Sequence, residues 1–72
     1  MARFFFDISY GGDVYHDAHG SSLKGQREAM EGAFDIVRKL MAEVKPTDLV
    51  CTVRDAGGHQ IMQIKASDAD RG

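Results

Sequence analysis

The 72-residue chain has no tryptophan, one cysteine and one proline. No apolar run approaches the ~18 residues that a membrane span needs. The lone cysteine, Cys51, has no partner for an internal disulfide, which fits a reducing compartment. The opening MARFFFDISY has no long apolar stretch and no small-residue cleavage site, which predicts no leader peptide and a cytoplasmic location. Basic clustering is also absent. Nine lysines and arginines against eleven aspartates and glutamates leave a net charge of −2. Nucleic-acid binding normally uses a basic face to displace counterions from phosphate, so a nucleic-acid partner is not expected beyond a local patch. Without disulfides or an evident metal site, so short a chain buries only ~60% of the surface its unfolded form exposes. Self-association is then a physically reasonable source of added stability.

What is present is periodicity. From Arg3 to Tyr10 apolar and polar positions alternate, with Phe4, Phe6, Ile8 and Tyr10 on one side and Arg3, Phe5, Asp7 and Ser9 on the other. That is a strand with one buried face. Gly11-Gly12-Asp13 turns the chain, Val14 to His16 returns as a short strand, and 17–22 reads as a loop. Ala29, Ala33, Val37, Leu40 and Val44 then recur at helical spacing, widened by Met30, Phe34 and Met41, which predicts a helix over Gln26–Val44. Ser22 and Gly25 are the cap candidates, Lys45 and Pro46 end the helix, and Gly32 inside it suggests close approach to a sheet. Leu49 to Arg54 and Gln60 to Lys65 are two further strands around the turn Asp55-Ala56-Gly57-Gly58. The predicted fold is α+β: a four-stranded antiparallel sheet of two hairpins with one helix on one face, in the order ββαββ. A single domain over 1–66 carries a polar tail, 67–72.

The aromatic strand R-F-F-F, the D-x-x-G of Asp17–Gly20 before an alanine-rich helix, and V-R-D-x-x-G from Val53 to Gly58 resemble a family of small alphaproteobacterial, rhizobial-type domains of unknown function. Its members begin M-x-R, then two phenylalanines or tyrosines, then phenylalanine. The proline and aspartate usual at the helix start are replaced here by Lys24 and Gly25, after Leu23. The resemblance covers nearly the whole chain and implies no activity.

Candidate chemistry is sparse. His16, Asp17 and His19 could ligate a metal, but His-x-x-His is a weak pattern unless a rigid element aims both rings at one point. A polar hairpin end is the simpler reading, with no metal and no cofactor expected. Cys51 lies mid-strand beside Leu49 and Val53, which suits a small buried residue better than a nucleophile. Asp55 and His59 flank a glycine turn, and turn chemistry accounts for the aspartate. No catalytic residue is expected, and the chain reads as a non-enzyme.

Phe5 is the informative oddity. With Phe4 and Phe6 under the helix, Phe5 faces the other way. One helix covers one side of a sheet, so Phe5, Val50 and Ile61 are expected to form an apolar centre on the uncovered face, rimmed by Arg3 and Arg54. The expected function is a protein-interaction or regulatory module that self-associates through that face, a homodimer or a complex with an unknown protein, with no membrane contact. The alternatives are a metal- or ligand-binding module using the His16/Asp17/His19 loop, or weak nucleic-acid binding through Arg3, Arg54 and Lys65.

Overall fold

The computed structural model describes residues 1–44 and 48–69. Its elements run β1 (Ala2–Tyr10), β2 (Asp13–Tyr15), β3 (Ser21–Leu23), α1 (Gln26–Val44), β4 (Val50–Arg54), β5 (Gln60–Lys65) and α2 (Ala66–Ala69). The sheet is antiparallel, in the order β2-β1-β4-β5, with β3 also paired to β1. The α+β class and the helix bounds match the expectation. Two details do not. A strand lies where a loop was expected, at Ser21–Leu23, and one turn of helix, α2, lies in the expected polar tail. The helix stop at Lys45 and Pro46 lies outside the described residues.

The β1–β2 hairpin closes on Gly11 and Gly12, at φ +61° and +86°. Both central positions of this two-residue turn need positive φ, the geometry that matches the twist of the flanking strands. Beyond it, β1 is long enough to pair twice along one edge. Ile8 faces Tyr15, and Phe4 faces Ser21. Four steps along β1 therefore meet six along the returning chain, and the two extra residues bulge at Asp17–Gly20.

Helix α1 buries the stripe Ala29, Ala33 and Val37 completely. Their spacing of four places them on one face. The carbonyl of Gly25 accepts the Ala29 N–H at 3.1 Å and opens the helix, while Ser22 lies in β3. The stripe packs with Phe4, Leu49, Cys51, Val53, Ile64 and Ala66 in one core, and Phe6, Ile8 and Tyr10 pack around it half-buried. Phe4, 4% exposed, is the most deeply set aromatic. The opposite helix face carries Arg27–Glu31 and Arg38–Asp35 ion pairs, exposed and so worth little to stability.

Candidate functional site

The face of the sheet away from α1 is built by cross-strand register. Side chains directly opposite each other on paired strands share a face. Val14, Ser9, Val50 and Lys65 form one row across β2, β1, β4 and β5. Asp7, Thr52 and Gln63 form the next, and Phe5, Arg54 and Gln60 the third. Among the described residues, both helices belong to the other face.

The middle of this face is polar and ordered. Asp7 is only 5% exposed although it stands on the side the alternation assigns to solvent. Arg54 covers it, donating from Nε to Asp7 Oδ2 and from NH2 to Oδ1 at 3.1 Å. The backbone N–H of Asp17 adds a bond to Oδ1 at 2.9 Å, and His16 Nδ1 lies 3.5 Å from Oδ2. The Arg54 hydrogen bond is the main reason the Asp7 carboxyl is held below its ordinary range, against the opposing effect of burial. Asp7 in turn raises the Arg54 guanidinium. A buried carboxylate needs such partners, because an unpaired charge removed from water is strongly unfavourable.

Phe5 answers to the same guanidinium. The Arg54 carbon lies 5.2 Å from the ring centre, within cation–π range. On its other side the ring meets the Asp17–Gly20 bulge. Gly20 has φ +72°, and a Cβ there would stand 2.8 Å from Phe5 Cε2 and 2.9 Å from the Phe4 carbonyl oxygen. Only glycine satisfies both the backbone angle and the contact.

Asp17 fastens this bulge. Its Oδ2 accepts the Phe6 N–H at 3.2 Å, and its Oδ1 accepts those of His19 and Gly20 at 3.1 and 3.0 Å. The Phe6 N–H points to the edge where the bulge has removed a strand carbonyl, and the carboxylate stands in for it. Burial alone would raise the Asp17 carboxyl, but the N–H groups of Gly20, Phe6 and His19 together lower it. The D-x-x-G signature thus has a structural cause.

This geometry bears on each candidate residue. Both Asp17 oxygens are engaged by backbone N–H groups, and His16 is turned to Asp7, so the loop's polar atoms brace the turn. Among the described residues no group of three or more histidine, cysteine, aspartate or glutamate side chains is placed to hold a metal ion. Arg3 donates to the His19 carbonyl at 2.6 Å, so Arg3 and Arg54 both serve the bulge region. Phe5 and Val50 stand on the expected face. Ile61 falls at a register shift, since Val53 faces Met62 whereas Arg54 faces Gln60, and it is half-buried against the core cluster. The apolar neighbour that sequence reasoning missed is Val14, 55% exposed and across Ser9 from Val50. Its only signal was the alternation in a three-residue strand.

Cys51 is fully buried, and burial, with a smaller contribution from Asp7, pushes its thiol up to about 11. Asp55 accepts the N–H groups of Gly57 and His59, both at 2.9 Å, as a turn brace. No helix among the described residues is long and apolar enough to cross a membrane.

No curated protein and no solved structure matches the chain. Residues 3–67 match a family described as Domain of unknown function (DUF6894), a span that takes in nearly all of β1 and the whole of β2, β3, α1, β4 and β5. The chain belongs to the DUF6894 family.

Proposed function

We propose that the chain is a non-enzymatic protein-interaction module that self-associates through the sheet face opposite α1. The observation that carries this reading is an uncovered face in which Phe5, Val14 and Val50 stand among Ser9, Thr52, Gln63 and the Asp7–Arg54 pair. Apolar anchors inside a polar surround are the anatomy of an interface. The protein measures 32 × 25 × 17 Å, so its broad face is large enough for the ~800 Å² per partner of a standard interface. A two-fold pairing brings each anchor against the partner's copy of the same patch.

Sedimentation of the wild type and of Val14→Asp and Phe5→Asp tests the reading. A dimer is expected for the wild type and a monomer for both variants. Val14 is exposed at an edge, so its substitution leaves the fold intact and keeps the test valid even where Phe5→Asp disturbs the bulge. A wild type that remains monomeric at high concentration overturns the reading.

A further inference from the structure

A second feature lies on the helix side of the sheet, away from Phe5. Helix α1 rests mainly on β4 and β5. The corner above β1 and β2 is left as an apolar pocket of about 310 Å³, lined by Ile8, Tyr10, Tyr15, Leu40 and Leu49. The register explains the lining. Ile8 and Tyr15 are directly opposite each other and share the inward face, and Tyr10 follows two residues along β1. Leu40 descends from the C-terminal half of α1, and Leu49 stands just before β4. The Gly11 N–H donates to Asp48 Oδ2 at 3.1 Å, which fastens the β1–β2 turn to the approach to β4.

Among the described residues the lining has no charged side chain, so an ionic ligand would lose its hydration with nothing in return. An apolar cavity of ~150 Å³ holds benzene, and this pocket has about twice that volume. Two tyrosine rings on the wall favour an aromatic guest, because offset and edge-to-face ring contacts add to simple burial. Tyr15 is 58% exposed, a large aromatic kept at a pocket mouth where packing does not require it.

We propose that this pocket binds a small neutral aromatic molecule of up to two fused rings. Tyr10 and Tyr15 are the only tyrosines in the chain, so ring labelling with ¹³C-tyrosine gives two sets of NMR signals, both from the pocket. Titration with indole should move both sets and saturate. Indole-3-carboxylate should bind at least tenfold more weakly. Tyr15→Ser should weaken indole by about tenfold or more, read at Tyr10, whereas Met30→Ser, on the exposed side of α1, should leave it unchanged. Phe5→Asp should also leave it unchanged, since this pocket does not depend on the association face. Non-saturating shifts, equal binding of the carboxylate, or an unaffected Tyr15→Ser overturns the proposal. So do tyrosine shifts that still change with protein concentration in Phe5→Asp before indole is added, which would identify a second copy as the occupant.

Discussion

The carboxylate of Asp17 accepts the backbone N–H of Phe6, eleven residues earlier, and so closes the gap that a bulge leaves in the edge of β1. The same side chain holds the N–H groups of His19 and Gly20. Asp17→Ala strands a part-buried donor on Phe6, and is expected to lower stability by about 1–3 kcal/mol in urea unfolding. Gly20→Ala should lower it by a comparable ~1–3 kcal/mol, because the new Cβ meets a backbone carbonyl and the residue must keep a positive φ. A Gly20→Ala melting curve superimposed on wild type would show that the bulge has another available conformation.

The Asp7–Arg54 pair predicts an asymmetry. Arg54 is 29% exposed at its side chain and regains water when its partner is lost, whereas Asp7 is nearly sealed. Arg54→Met should therefore destabilise more than Asp7→Asn, in chemical denaturation at neutral pH. Because the folded-state Asp7 carboxyl is lowered, its stabilising contribution is complete above the unfolded carboxylate value of ~3.9 and is lost as pH falls through the lower folded value. Asp7→Asn should flatten that acid limb of the stability–pH curve. An unchanged slope would assign the limb to other carboxylates.

Gly32 was expected to mark close approach of the helix to the sheet. A Cβ there would meet Phe6 Cζ at 3.6 Å and Cε1 at 3.7 Å, which is ordinary contact. Gly32→Ala should then stabilise the protein by about 0.5–1 kcal/mol through helix propensity. Thermal unfolding checks this, and a lower melting temperature would mean that the Phe6 ring cannot accommodate the methyl group.

Cys51 should be silent in the native state. Its thiol is buried and pushed up to about 11, so little thiolate exists at neutral pH. Labelling with a thiol reagent should be slow in buffer and fast in denaturant. Rapid native labelling would require local opening of β4.

Much of the fold is legible in local pattern. The alternation of Phe4, Phe6, Ile8 and Tyr10, the Ala29–Ala33–Val37 stripe and the Gly11-Gly12 turn each carry their own period or backbone requirement, and the elements formed where those signals stood. The sequence by itself also determined that Phe5 and Val50 share a face opposite the helix, because side chains alternate strictly along a strand. Only the tertiary structure decided which strands are neighbours, and with that came everything the local pattern missed. Asp7 is buried because β4 brings Arg54 to it from forty-seven residues away. Ser21–Leu23 is a strand because β1 has free length beyond β2. Ile61 packs against the core because the register between β4 and β5 shifts beside it. The apolar pocket exists because α1 settles over β4 and β5 and leaves the β1–β2 corner open. A residue's period tells which way it points, while its partners depend on chain segments distant in sequence.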